Sequence, residues 1–199
     1  MTRIAVPGRT LRRGFYRRDS RAVAVELLNK VLVGPDGRSG RIVETEAYCG
    51  SLDPAAHTFR GQTARNATMF GPPGRLYVYF TYGMHWCCNT VCGEVGEGIG
   101  VLLRALAPMT GLEVMRAARP KARLDRDLCR GPACLTQAMG ISGAHDGIDL
   151  VTGKGGYRII DDGIPPPREA IATGRVGIRH AAHEPWRWYV PGDPNVSRK

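Results

Sequence analysis

Apolar residues recur through 20–33 at Val23, Val25, Leu27, Leu28, Val31 and Leu32, and Asp19 or Ser20 stands where a cap belongs, so the pattern predicts a helix there. Gly34-Pro35-Asp36-Gly37 is a strong turn signal, and the β-branched, partly alternating stretch 41–48 predicts a strand ending near Tyr48. The stretch 50–74 is polar and punctuated by Gly and Pro, a length that is unusual for a connection unless it forms part of a site. Residues 75–82 and 85–91 read as two strands joined by a tight turn, with Tyr82 and Met84 at the tip.

Residues 98–107 form an apolar strand whose single charge, Arg104, needs a partner. Helical spacing of Leu112, Val114 and Met115 predicts a helix over 110–119. Beyond Gly131 the pattern weakens to a short helix over 132–139, strands near 148–151 and 157–160, and a Pro165-Pro166-Pro167 linker. Neither a repeat nor a second domain is visible, and 199 residues are enough to bury one core.

Charge then changes the picture. A net charge of +10 makes a polyanion the natural partner, through Coulomb attraction and counterion release from phosphates. Only four of the 28 basic residues are Lys, and the Arg fork suits phosphate, although Arg-biased coding gives the same excess. Charge alone leaves DNA and RNA open. Seven Arg (Arg3, Arg9, Arg12, Arg13, Arg17, Arg18, Arg21) crowd the first 21 residues beside the single acid Asp19, which marks 1–14 as a flexible basic arm ahead of a domain at 15–199.

No apolar signal core follows that arm and no stretch is long enough to span a membrane, so the chain is expected to be soluble and inside the cell. Its place would be the cytoplasm, with the nucleoid, of a bacterium, or the nucleus or an organelle of a eukaryote. The six cysteines (Cys49, Cys87, Cys88, Cys92, Cys129, Cys134) contain no Cys-x-x-Cys pair, so a zinc knuckle is disfavoured and reduced, buried thiols are expected.

Strand alternation puts Glu44, Glu46 and Tyr48 on one face, and two like charges there are costly unless they are solvated or used. Tyr48, Tyr77, Tyr79, Tyr82 and His57 gather around the strand end and the hairpin, and aromatic rings are what unstacked bases rest on. Aromatics alternating in a strand are also ordinary core residues, the reading preferred for Tyr77.

Taken together, Gly40-Arg-Ile-Val-Glu-Thr-Glu-Ala-Tyr48, Ala55-Ala-His57, Thr63-Ala-Arg-Asn66, Met69-Phe70, Leu76-Tyr-Val-Tyr79, Tyr82-Gly-Met84, Val101-Leu-Leu-Arg-Ala-Leu106 and Gly131-Pro132 resemble the alkyladenine (3-methyladenine) DNA glycosylase family, in the family's order and from about Phe15 to Val196. The resemblance implies one α+β domain built on a curved antiparallel sheet, with surrounding helices and a protruding β-hairpin that intercalates into DNA. It implies a monofunctional enzyme of base excision repair that flips damaged purines (3-methyladenine, 7-methylguanine, hypoxanthine, ethenoadenine) out of double-stranded DNA and hydrolyses the N-glycosidic bond. Neither a metal nor an organic cofactor is expected, and the protein is expected to act as a monomer.

By motif position, Glu46 matches the general base and Arg104 the arginine that holds Glu46 and the attacking water, leaving Glu44 as a neighbour. The family's base pocket would place Tyr48 and His57 on one side of the base and Tyr79 on the other, with Asn89 crowding the 2-amino group of guanine. Tyr82 would wedge into the duplex with Met84 beside it, and Thr63, Arg65 and Asn66 would touch phosphates. Ile178 aligns with a residue whose backbone helps to place the water.

The sequence departs from the family at Asn29-Lys30, where Gly usually follows Leu-Leu, and at Arg179, which could touch DNA. A glycosylase with lyase activity would need a Lys or amine nucleophile, and none of the four Lys lies in these blocks. A non-catalytic nucleic-acid-binding module on the same fold is the alternative that Glu46 and Arg104 argue against, and a metal-dependent nuclease would need more clustered acids.

Overall fold

Nine strands within residues 6–198, the part of the chain that the computed structural model describes, join in one antiparallel sheet. They are β1 (Arg9–Thr10), β2 (Val31–Val33), β3 (Ser39–Tyr48), β4 (Leu76–Thr81), β5 (His85–Cys92), β6 (Ile99–Thr110), β7 (Arg158–Asp161), β8 (Ile171–Thr173) and β9 (Arg187–Tyr189), in the spatial order β1-β7-β2-β3-β6-β5-β4. The sheet is curled, and four helices, α1 (Arg13–Tyr16), α2 (Ser20–Leu27), α3 (Leu112–Ala118) and α4 (Pro132–Met139), make this an α+β fold.

The long strand β3 organises everything else. One edge pairs with β6 along its length; the other pairs with β2 at residues 39–41 and with β9 at 44–46. Helices α2 and α4 cover the sheet, and Leu27, Ile42, Leu103, Leu106, Leu135 and Met139 meet in a core closed to solvent. Each such side chain contributes roughly 1.5–3 kcal/mol by leaving water.

The predicted helix over 20–33 is shorter in the structure. Asp19 does cap α2, accepting from the Arg21 N–H at 2.8 Å, but the helix stops at Leu27 and Val31–Val33 is a strand. Asn29 makes the break by adopting φ +68°, a left-handed conformation that Gly takes freely and Asn tolerates. The departure at Asn29 therefore keeps the backbone that Gly would supply, and the β-branched Val31 and Val33 then pair between β3 and β7.

The basic arm also needs correction. Residues 1–5 lie outside the described residues, but Arg9–Thr10 pairs with β7 and Arg13 forks from α1 to Asp149 (2.6 Å) and the Pro73 carbonyl (2.6 Å). Segment 9–14 is therefore part of the fold. No strand forms at 148–151: Asp149 accepts from the N–H groups of Val151 and Thr152, and this local turn competes with a ladder, leaving isolated bridges to Arg75 and Lys154. The helix over 132–139 has the bounds expected, whereas β8 and β9 were not foreseen.

Candidate active site

The site begins at an irregularity in the sheet. Opposite β3, Ala105 pairs with Glu44 and Leu103 with Thr45, so Arg104 is an extra residue at a bulge; Val43 is skipped in the same way on β3. Bulges of this kind re-aim side chains. Here Arg104 comes to lie between the two acids, 2.9 Å from Glu44 through Nε and 3.2 Å from Glu46 through Nη1.

Glu44 is fully enclosed and held by partners. Its Oε1 accepts from Arg104 Nε, Arg187 Nε (2.7 Å) and Ser197 Oγ (2.9 Å), and its Oε2 from the Ser197 N–H (2.7 Å). Burial alone would raise its pKa, but the two arginines and the Ser197 N–H outweigh burial and hold it below the usual range. Held toward its anionic form by these partners, Glu44 anchors Arg104.

Glu46 is equally buried but differently held. Oε1 accepts from the Val176 N–H at 2.8 Å and faces Arg104, and Oε2 accepts from the Tyr48 hydroxyl at 3.0 Å. Burial dominates here and lifts its pKa above the ordinary value, with Arg104, Val176 and Tyr48 pulling the other way. Burial and the adjacent Glu46 charge push the Tyr48 hydroxyl up, so it remains a donor.

A cavity of about 290 Å³ opens beside this pair, and Tyr48, His57, Tyr79, Tyr82, Asn89 and Arg104 all line it. Tyr77 lines it too while belonging to a small core cluster with Met69 and Val91, so it serves both roles. Burial lowers the His57 pKa, with the Arg65 charge adding to the effect, and its Nδ1 lies 3.3 Å from the Tyr77 hydroxyl. Asn89 is 5% exposed and its Oδ1 has no partner among the described residues, which is costly unless a ligand supplies a donor.

The aromatic grouping differs from the expected one. His57 and Tyr79 are neighbours in edge-to-face contact, with centroids 4.6 Å apart, and Tyr79 stacks on Tyr77 at 5.3 Å. A base held between two rings needs roughly 7 Å between them, so His57 and Tyr79 do not face one another across a base. They form one continuous wall instead, because the loop after β3 folds His57 down onto β4.

Strands β4 and β5 pair antiparallel as expected, closed by Tyr82-Gly83-Met84. Tyr82 and Met84 are 77% and 68% exposed, and Met84 stands outside the cavity. Tyr82 holds φ +52°, a strained value for a bulky residue, and its hydroxyl donates to the Gly177 carbonyl at 3.3 Å.

The three loop residues separate. Thr63 and Arg65 are exposed, and Arg65 reaches the Phe80 carbonyl at 2.8 Å. Asn66 is not available to a phosphate. It is buried, accepting from the Thr63 N–H at 2.7 Å and donating to the carbonyls of His57 and Gly61 at 2.9 and 3.1 Å, so it knots the loop internally.

Four residues with a part in this geometry escaped the sequence reading: Val176, Arg175, Arg187 and Ser197. All lie where patterning was weak, and a backbone N–H leaves no residue-type signal. Ile178 lines the cavity two residues beyond Val176, and Arg179 is exposed. Among the described residues no group of three or more His, Cys, Asp or Glu is placed to hold a metal ion, and no helix is long and apolar enough to cross a membrane. All six cysteines are free.

Comparison with known proteins adds the family. Residues 14–194 match the model described as "Methylpurine-DNA glycosylase (MPG)". A protein of Burkholderia cenocepacia is 63% identical over 191 residues, covering 96% of this chain and 92% of its own. One of Streptomyces avermitilis is 46% identical over 200 residues (98% and 94%), and one of Koribacter versatilis is 46% identical over 194 (95% and 93%). The names of all three include the words 3-methyladenine DNA glycosylase. With near-complete coverage at such identity, the chain belongs to the methylpurine-DNA glycosylase family and is a DNA N-glycosylase.

Proposed function

We propose that the protein excises damaged purines, 3-methyladenine among them, by flipping the nucleotide from double-stranded DNA into the cavity and hydrolysing its N-glycosidic bond with a water activated by Glu46. The observation that carries this reading is the state of the Glu46 carboxylate. A carboxylate has about four acceptor sites. Three donors occupy the neighbourhood of Glu46, namely Arg104, the Val176 N–H and Tyr48, which leaves capacity for one more, the attacking water.

In the step itself the water oxygen bonds C1′ as the bond to the base nitrogen breaks, the electron pair leaves with the base, and the water proton passes to Glu46. The same carboxylate stabilises the oxocarbenium character at C1′. Arg104, fixed by Glu44, keeps Glu46 oriented. Tyr82 fills the vacated stack, with Met84 beside it, and Thr63 and Arg65 meet phosphates. The substrate range extends to alkylated and deaminated purines (7-methylguanine, hypoxanthine, ethenoadenine), because aromatic walls accept any purine face while Asn89 tests an edge.

Among the described residues no Lys lines the cavity, which favours a monofunctional enzyme over a lyase working through an imine. The deciding experiment is single-turnover excision by E46Q. Retained binding of damaged duplex with excision slowed at least ~10²-fold, the scale of a lost general base, supports the reading. Near-native excision would remove Glu46 from the mechanism.

A further inference from the structure

Against the Tyr48 ring lies an ion pair that the chemistry above does not use. Arg175 and Asp53 both have side chains fully shut off from solvent, and they meet as a fork: Nη1 to Oδ2 at 2.5 Å and Nη2 to Oδ1 at 2.8 Å. Breaking such a pair on one side leaves an uncompensated buried charge, whereas well-packed apolar residues often serve stability as well. Its presence beside a reactive carboxylate therefore calls for a role beyond holding the fold.

The contacts point to that role. Arg175 Nη1 also donates to the Ala47 carbonyl at 3.0 Å, and the guanidinium lies 4.8 Å from the Tyr48 ring centroid and 5.0 Å from that of Trp186. Asp53 in turn accepts from the N–H groups of Cys49 (3.3 Å) and Ala55 (3.0 Å), fixing the loop that carries His57. The next residue after Arg175 is Val176, whose N–H donates to Glu46. One guanidinium thus ties together the end of β3, the His57 loop and the backbone donor to the carboxylate.

We propose that Arg175, clamped by Asp53, is a positioning residue that sets the Val176 N–H and the Tyr48 hydroxyl against Glu46. This rests on Glu46 being the base. The groups facing Glu46 are Glu44 and Tyr48 on β3, Arg104 on β6, Cys87 on β5, and Arg175 with the Val176 N–H on the loop before β9; Arg187 on β9 reaches it through Glu44. Arg104 and Arg175 remain charged, and burial keeps Tyr48 and Cys87 protonated, Cys87 being pushed up to about 11. Glu44 is held low. The acid limb of the rate therefore reports Glu46, or His57 across the cavity, whose contribution the same profile in H57Q removes.

Single-turnover excision of a 3-methylpurine or hypoxanthine duplex is measured against pH for R175Q, R175K and D53N, with melting temperature and damaged-DNA affinity alongside. R175Q is expected to slow excision about ten- to a hundredfold, as misplacement of catalytic groups does, with binding little changed. Its acid limb moves to higher pH because the carboxylate loses donors, R175K recovers part of the loss, and D53N reproduces it. Native rates in R175Q and D53N with only a lower melting temperature, or slower rates with an unmoved acid limb, would overturn the proposal. Should R175Q fail to fold, the near-isosteric D53N decides alone. Failure of the base reading is separate: E46Q would then excise at the native rate, whatever Arg175 does.

Discussion

Glu44 and Glu46 hold the same arginine, at 2.9 Å through Arg104 Nε and 3.2 Å through Nη1, and yet their proton affinities are driven apart. Burial raises both. Glu44 gains a second arginine, Arg187, and two donors from Ser197, which more than offset burial, whereas the donors to Glu46 do not. Two carboxylates two residues apart are given opposite shifts in this way, the pattern that the proposed division into an anchor and a proton acceptor requires.

Removing the anchor should cost stability. E44Q leaves Arg104 and Arg187 without their shared anion, and breaking a buried pair on one side costs about 3 kcal/mol. The urea midpoint should fall accordingly, with excision falling too as Arg104 loses its fix. An unchanged midpoint would show that Glu44 is not the anchor.

Glu46 should show the opposite sign. Its folded pKa is raised above the unfolded value of 4.5, so the native state binds more protons across that window, and stability is lost as pH rises through the folded pKa. At and below 4.5 the acid and its amide replacement differ little; above the window E46Q no longer bears the cost of ionisation. The melting temperature of E46Q minus that of the native protein should therefore increase with pH. A difference that shrinks with rising pH would contradict the raised pKa.

Tyr82 is 77% exposed at the hairpin tip, so Y82A should leave the melting temperature within the effect of an ordinary surface change, about 0.5 kcal/mol. Capture of a flipped base should nevertheless weaken, more for paired lesions than for mismatched ones, where unpairing is already cheaper. Fluorescence of a base analogue reports extrusion, and unchanged extrusion and excision of a paired lesion would exclude the wedge.

Asn66 and Arg65 should separate by salt dependence. R65A is expected to lower the slope of log affinity against log salt by about 1, as for one lost phosphate contact. N66A should leave the slope alone and destabilise the protein by about 1–3 kcal/mol, because it strands the Thr63 N–H and two carbonyls. Equal slopes for R65A and the native protein would place Arg65 away from the backbone.

Asn89 lines the cavity, and its proposed role is to crowd the 2-amino group of guanine sterically. N89S and N89A should raise excision of undamaged guanine, by making room for its 2-amino group, and leave adenine unchanged. Guanine, hypoxanthine and adenine compared at one mismatched position decide it: no gain on guanine, or equal gains on all three, would end this role.

What the sequence determined by itself was whatever is local in residue type and order. Two-residue alternation placed Glu44, Glu46 and Tyr48 on one face, the apolar run with its lone charge marked Arg104, and the paired aromatic strands set Tyr82 and Met84 at a turn. The ordered motifs carried the family. Only the tertiary structure decided how these pieces meet. A bulge, which alternation does not encode, aims Arg104 at both acids. Short strands such as β9, three residues long, form because a long neighbour offers an edge, and through β9 Arg187 reaches Glu44. The Val176 N–H on Glu46, the fork of Arg175 on Asp53 across 122 residues, and the folding of His57 against Tyr79 depend on where loops close. A backbone N–H belongs to every residue type but Pro, so such a donor leaves no mark in the sequence until packing selects it.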